Sequence, residues 1–489
     1  MINQVKNYTL KSPVKLPLTM KHARVLMLCG VSCAVVLGPT SALALELGFE
    51  AGITFEATDN VENVGSEFEE TGQIGFASIG IYGEQRGRIV QGAFTGEIET
   101  EKTLSDSDDD FDALTRFIGA VNVGITPQSV SWYFGDILGA VRADDANQSV
   151  DVSDLPRRNV FVTGPSVQFN TGSFSSADSR LLYVHQSDEE GELASLINFT
   201  ASWRTETQRG NTFGVRFGDI YTDNPALTDN NPGVADAADF NRLTSSVFWE
   251  RERGRNSVSA SLGATHYATD DDSLTGLNAG VSFTRLLGPQ RSFTIALDRD
   301  LRDQNLDTIE SLIADGSGEE PVANGVFEET RLALSYSLIT DRSSIEVGAG
   351  LSMADYQALS GINSSVNIND EDQLQPFVFG VWTRSYNPRL RSELSLNYEQ
   401  LEYDNLRDES SSITLSAMMS YRLSRSFTAE LGYVFDQIDG LRTRGADGIS
   451  ITNPQDIDIV ENSARVSLRW APPSRASKAL TIELKSLLN

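Results

Sequence analysis

Residues 257–264 read SVSASLGA, and residues 277–284 read LNAGVSFT. In both segments an apolar side chain occupies every second position, and Ser, Gly, Asn or Thr fills the positions between. Successive side chains of an extended chain point to opposite faces, so this pattern predicts two β-strands, each with one apolar face and one small, polar face.

The same alternation continues along most of the chain. Apolar residues recur at alternate positions in segments 331–338, 345–353, 413–421, 427–436 and 464–470. After Leu45 no apolar run approaches the roughly 18 residues that a membrane-spanning helix needs. The sequence therefore predicts an all-β protein.

The connections between the predicted strands alternate in length. Short turns such as Arg253-Gly254-Arg255 and Asn387-Pro388-Arg389 are separated by longer, acidic stretches such as 222–239 and 304–324. This rhythm is typical of a membrane barrel with short periplasmic turns and long outer loops. Strands with an apolar outer face can pair all their backbone groups in lipid only by closing into a ring.

We predict a transmembrane up-and-down antiparallel β-barrel of about 18–20 strands. The strand count is open because residues 159–192 are hard to divide. The alternative is a secreted, soluble sandwich or propeller, whose strands also alternate. Evenly sized hairpins along the whole chain, and the lack of a blade-like repeat, favour the barrel.

The N-terminus predicts export. Basic residues precede the apolar stretch 25–37, Pro39 interrupts it, and Ala42-Leu43-Ala44 matches a cleavage signal. We expect residues 1–44 to be a signal peptide. An uncleaved anchor is the alternative, but Gly30 and Pro39 break the run before it can span a bilayer.

The domain division and destination follow from this reading. Residues 45–471 form the predicted barrel, and residues 472–489 form either a C-terminal tail or a closing strand. The predicted location is the outer membrane of a Gram-negative cell envelope, with lipid and lipopolysaccharide as the surrounding partners.

Composition excludes several functions. The formal net charge of −29 argues against a nucleic-acid partner. Both cysteines, Cys29 and Cys33, lie in the signal peptide, and only His185 and His266 remain beyond it. We therefore expect a protein that is not an enzyme, with no catalytic residue, no cofactor and no metal site. Residues 106–111 imitate a calcium loop, but Phe111 stands where that loop needs glycine.

The predicted polar face lines the lumen. If the segmentation holds, inward side chains carry charges of both signs, which suit a hydrated polar cargo, although pairing between neighbouring strands is an equal alternative. The candidate lumen-lining residues are Arg331, Glu346, Glu393, Glu399, Arg422, Glu430, Asp436, Arg465 and Arg469. Aromatic residues expected in interfacial girdles include Trp132, Tyr133, Phe134, Trp203, Phe248, Trp249, Tyr267, Trp382, Tyr386, Tyr398, Tyr421 and Trp470.

Two short motifs add a resemblance. Residues 55–61 read FEATDNV and residues 159–165 read NVFVTGP. Through these motifs and the hairpin rhythm, the chain resembles the outer-membrane β-barrel family associated with PEP-CTERM and exopolysaccharide loci. The resemblance implies a barrel of about 18 strands and a link to exopolysaccharide export or assembly, and it brings no catalytic residues.

The predicted function is an outer-membrane, porin-like channel that takes part in exopolysaccharide export, with polysaccharide and periplasmic export proteins as partners. One alternative is a general diffusion porin for small solutes. Another is a non-conducting surface scaffold or adhesin whose barrel only displays its loops. No N-terminal segment of plug size precedes the first predicted strand, which disfavours a siderophore-type transporter.

Overall fold

The strands of the computed structural model follow the predicted hairpins closely. The structure describes residues 45–60, 71–87, 89–104, 112–126, 129–143, 157–187, 192–207, 210–223, 239–269, 272–303, 317–320, 326–357, 372–403, 409–444 and 450–472. In this part of the chain all regular structure is β-strand, and no helix is long and apolar enough to cross a membrane.

The strands are β1 (Leu45–Thr58), β2 (Gly72–Arg86), β3 (Val90–Thr103), β4 (Asp112–Thr126), β5 (Val130–Ala143), β6 (Arg157–Gly172), β7 (Ser175–Ser187), β8 (Glu192–Glu206), β9 (Asn211–Asp223), β10 (Phe240–Arg253), β11 (Asn256–Ala268), β12 (Ser273–Gly288), β13 (Arg291–Asp303), β14 (Ser317–Glu320), β15 (Val326–Ile339), β16 (Ser343–Gln357), β17 (Gln373–Asn387), β18 (Leu390–Tyr403), β19 (Glu409–Arg422), β20 (Phe427–Arg444) and β21 (Ser450–Trp470).

All strands except β14 form one closed antiparallel ring. Each pairs with its neighbours in the chain, β13 pairs with β15, and β21 pairs with β1 from Ala51↔Trp470 to Thr58↔Ser463. The prediction of an all-β, up-and-down barrel is confirmed, with 20 strands in the ring. The ring closes at Trp470, and residues 473–489 lie outside the described residues.

The ring has two distinct ends. The turn end carries the short connections, such as the two-residue turn at Gly254 and Arg255, where Gly254 has a φ of 62°. A positive φ is accessible to glycine at little steric cost, so this residue permits the tight hairpin. The loop end carries the longer connections, including those between β9 and β10 and between β16 and β17.

The outer face of the ring is apolar. Large side chains stand exposed on it, among them Ile79 (71%), Leu262 (58%) and Val466 (56%). Such residues recur on neighbouring strands in matched register, for example Val247 opposite Leu262. Soluble proteins do not expose a continuous apolar belt of this kind, whereas lipid covers it at no cost. The chain is therefore an outer-membrane-type β-barrel.

The FEATDNV motif fastens the closing seam at the loop end. The Asp59 carboxylate accepts hydrogen bonds from the Asn462 backbone N–H at 2.6 Å and from Asn462 Nδ2 at 2.8 Å. Thr58 Oγ1 donates to Glu461 Oε1 at 3.1 Å, and the Asp59 N–H donates to the Asn462 carbonyl at 3.2 Å. The motif thus joins the first strand to the last.

The inner face is less uniformly polar than the sequence suggests. On β4 to β9 the inner face carries a cluster of buried apolar residues, with Ile137 and Val160 both at 0% exposure, and buried polar residues such as Arg158 and Asn198 share that face. β6 and β7 therefore carry apolar residues on both faces, for example Val160 beside Phe161. This removes the alternation and explains why residues 159–192 resist division by pattern.

Three of the expected girdle aromatics are also on the wrong face. Tyr133, Phe248 and Tyr267 point into the ring, because they pair with the inward positions Gly164, Gly214 and Arg242. Tyr133 (5%) and Tyr267 (0%) are buried there. Their nearness to strand ends suggested an interface, but position along a strand does not decide which face a side chain occupies.

Candidate functional site: the lumen wall and its mouth

The candidate site is the inner wall of the ring. The strand register places the nine predicted lumen-lining residues on this wall, opposite inward neighbours such as Asp298 for Arg331 and Ser337 for Glu346. They occupy the part of the ring from β15 to β21 and face the lumen at different heights: Arg331, Glu346, Glu393, Glu399, Arg422, Glu430, Asp436, Arg465 and Arg469. Their contact with a cargo stays a prediction.

Part of this lining is paired across strands, as expected if the inward charges pair with neighbouring strands instead of contacting a cargo. Arg469 on β21 forms an ion pair with Glu50 on β1, and the Glu50 residue is only 5% exposed. The Arg465 side chain extends across Gly432, where an added Cβ would lie 2.9 Å from its Cγ. Arg469 therefore strengthens the seam between β21 and β1, whereas Arg465 packs against β20.

Other members of the lining bind uncharged neighbours. Asp436 accepts a hydrogen bond from Thr414 Oγ1 at 2.6 Å, and Glu399 accepts one from the Gln375 amide. The Arg331 guanidinium lies 5.0 Å from the centroid of the Phe377 ring. The wall therefore combines carboxylates that accept hydrogen bonds from neutral donors with arginines.

A polar cluster marks the loop end of β10 to β13, the strands that precede β15 in the ring. Asp300 on β13 accepts hydrogen bonds from Thr265 Oγ1 and Asn278 Nδ2, both at 2.9 Å, and from Arg242 Nη2 at 3.2 Å. The ladder between β12 and β13 runs only from Gly288↔Arg291 to Ala279↔Arg299. The cluster therefore joins β10, β11, β12 and β13 where β12 and β13 are no longer paired.

An apolar cluster lies on the inner wall of β4 to β9. Its buried members are Ala120, Tyr133, Ile137, Val160, Val162, Leu182, Val184, Leu196 and Ile220. A side chain on a wall that faces open water keeps substantial exposure, yet Ile137 and Val160 have none. This part of the inner wall is therefore covered, and buried polar residues such as Arg158 (6%) and Asn198 (3%) lie on the same inward faces of β6 and β8.

A short strand bridges the mouth of the barrel, which is its opening at the loop end, beside this apolar cluster. β14, which comes from the connection between β13 and β15, pairs in parallel with the loop end of β5, from Ser317↔Ala140 to Glu320↔Ala143. β5 and β15 are nine positions apart in the ring of 20. We call the paired β14 and β5 segments, residues 317–320 and 140–143, the bridge.

Chain length shows that the bridge narrows the mouth. A circular ring of 20 strands, about 4.8 Å apart and tilted by about 40°, is roughly 40 Å across. Six Cα steps separate Glu320 from Val326 and cover at most about 22 Å. Since Glu320 is paired with Ala143, Ala143 lies within about 27 Å of Val326. Ala143 is therefore nearer to Val326 than the ring is wide, so the bridge projects over the opening at the loop end.

The histidines lie on the outer face. His185 pairs with Phe161, and its ring stacks on Tyr183 with the centroids 6.4 Å apart. His266 Nδ1 hydrogen-bonds Thr275 Oγ1 at 2.8 Å, and the residue pairs with the outward Leu243. Among the described residues no three His, Cys, Asp or Glu side chains are grouped to hold a metal ion. The calcium-like stretch 106–111 lies outside those residues.

Comparison with known proteins finds solved structures that share little sequence identity with this chain. No protein-family model matches the chain, and no curated protein is significantly similar to it. Among solved structures, the siderophore receptor PirA from Pseudomonas aeruginosa shares 10% identity at a TM-score of 0.47, with 88% of this chain and 81% of that chain covered. The FrpB iron transporter from Neisseria meningitidis shares 8% identity at a TM-score of 0.46, with 87% and 82% covered.

The fold rests on the strand register rather than on these likenesses. None of the comparisons supports the resemblance to barrels of exopolysaccharide loci, which therefore stays a prediction.

Proposed function

We propose that the protein is an outer-membrane channel for a hydrated, polar cargo, and that this cargo is an exported polysaccharide. The observation that carries the proposal is the closed ring of 20 strands, whose inner wall from β15 to β21 is polar and carries charges of both signs. A wall of this kind replaces part of the hydration of a polar chain without selecting one ion.

Ring size supports the same function. Barrels of eight strands are filled by their own side chains, whereas those of 16 to 18 strands leave an aqueous channel. A 20-strand ring has room for a hydrated polymer. Outer-membrane lipid and lipopolysaccharide would surround the apolar belt, and periplasmic export proteins would meet the turn end.

The test is planar-bilayer conductance of the folded protein, with and without a long polysaccharide. Conductance that the polymer blocks is the expected result. Steady conductance that is indifferent to the polymer would instead identify a general diffusion porin for small solutes.

A non-conducting surface scaffold is the second candidate, and the bridge favours it. The pairing of β14 with β5 narrows the mouth from the side on which the long connections lie. A barrel that shows heat-modifiable gel mobility but no conductance would overturn the channel proposal in favour of the scaffold.

A further inference from the structure

We propose that Phe377 and Phe379 form a binding platform for neutral hexose rings on the lumen wall; this deepens the proposed polysaccharide channel and rests on it. The two residues occupy successive inward positions of β17, opposite Gly350 and Gly348 on β16. Large aromatic side chains on a polar lumen wall call for an explanation, since water contacts with their faces are unfavourable.

The two rings lie over glycines. A Cβ atom at Gly348 would collide with Phe379 Cε1 and Cζ, and one at Gly350 would collide with Phe377 Cζ and Cε1. The Arg331 guanidinium lies over the Phe377 ring, so Phe379 offers the more open aromatic surface of the pair. Both rings are half-buried, as expected for a ring that is covered on one face.

The surroundings leave space above the rings on one side. Beyond the two glycines, the next inward positions are Ala333 and Ser335 on β15, which pair with Gly350 and Gly348. Ala333 and Ser335 are small, so the inner wall is low beside the two rings. Ser335 borders the Phe379 side of this low stretch, where a flat ligand ring would lie.

Polar groups border the other side. Glu399 and Asn397 on β18 pair with Phe377 and Phe379, and Gln375 donates a hydrogen bond to Glu399. A pyranose ring has an apolar face of C–H groups and a rim of hydroxyls. The aromatic face suits the C–H face, while amide and carboxylate oxygens accept hydrogen bonds from the rim, which is the usual division of labour in a ligand site.

Charge indicates which sugars bind. The carboxylates of Glu346, Glu393 and Glu399 lie on the same wall as the platform, at neighbouring inward positions of β16 and β18. The nearest predicted lining arginine, Arg331, is stacked over Phe377. A uronate ring would bring its own negative charge beside these carboxylates, so we assign the platform to neutral hexoses.

The test compares two oligosaccharides of equal length, maltohexaose and hexagalacturonate. Protein purified from the outer membrane is titrated with each by isothermal calorimetry in detergent, and conductance is recorded separately. We expect maltohexaose to bind the unsubstituted protein and hexagalacturonate to bind more weakly. Phe379→Ala and Phe379→Leu should each weaken maltohexaose binding about tenfold, since both remove the aromatic face.

The matched control is Phe293→Leu, which removes an outward aromatic of β13 and should leave binding unchanged. Unaltered binding by Phe379→Leu would overturn the platform and show that the ring only covers glycine backbone. Equal binding of the two oligosaccharides would overturn the sugar class. Conductance without sugar binding refutes the platform alone, and binding without conductance refutes the channel alone.

Discussion

Removal of the bridge should open the barrel. Asp303 and Val326 form the last pair between β13 and β15, so a two-residue Asn-Gly turn can replace residues 304–325 and close the hairpin directly. The variant keeps all 20 strands of the ring and loses the pairing of β14 with β5. We expect it to fold and to conduct more current than the unsubstituted protein.

The magnitude follows from the dimensions of the ring. A backbone layer with its side chains is about 10 Å thick. After side chains of about 6 Å are subtracted on each side, a 20-strand ring leaves an opening about 28 Å across. One layer that crosses this opening covers close to half of its area, so the deletion should raise single-channel conductance by about 1.5-fold to twofold.

A reversible variant separates bridge release from loss of sequence. Val141 and Gly318 are paired positions, and the chain has no cysteine beyond residue 33. Val141→Cys combined with Gly318→Cys should lock the bridge when oxidised. A reductant should then restore the single-channel conductance of the unsubstituted protein. A matched control replaces residues 358–371, which link β16 to β17, with the same turn. Equal conductance in the bridge deletion and in this control would refute the reasoning.

Three further outcomes test the fold. Ile79→Arg should reduce the free energy of unfolding from vesicles by about 2–4 kcal/mol in urea titrations, because Ile79 lies mid-strand on the lipid face. Ile79→Leu is the control. Equal losses of unfolding free energy in the two variants would place that face in water. Asp59→Ala should cost about 1–3 kcal/mol, since Asn462 loses two hydrogen bonds across the seam, and should lower the temperature at which heat-modifiable gel mobility is lost. Mass spectrometry of the membrane-inserted protein should find the N-terminus at Leu45, whereas an N-terminus at Met1 would support the uncleaved anchor.

Local alternation was sufficient to predict much of the architecture. On β11 and β12 the outward Leu262 and Val281 and the inward Ser261 and Gly280 follow directly from the period of two. Two-residue turns such as Gly254-Arg255 are visible in sequence because they need residues that accept unusual backbone angles. Strand direction, the two ends of the ring and the faces of most strands therefore come from neighbours in the chain.

Alternation failed where both faces of a strand are apolar. Val160 and Phe161 are adjacent and equally hydrophobic, yet one is buried in the lumen and the other is exposed on the outside. Tyr267 resembles an interfacial aromatic in its residue type and in its position near a strand end, but its pairing with Arg242 turns it inward. Pattern alone reports the presence of an apolar face and not the side of the ring on which it lies.

The sequence by itself determined the class of the protein: a chain of amphipathic strands that can satisfy its backbone in lipid only as a ring. Tertiary structure alone decided that the seam closes between β1 and β21, that β14 reaches across to β5, and that Phe377 and Phe379 lie over glycines. The physical reason is the separation along the chain of the residues that interact. Strand period and turn type are set by residues a few positions apart, whereas Thr58 and Ser463, or Ala143 and Glu320, meet only because ring closure and chain length bring distant segments together.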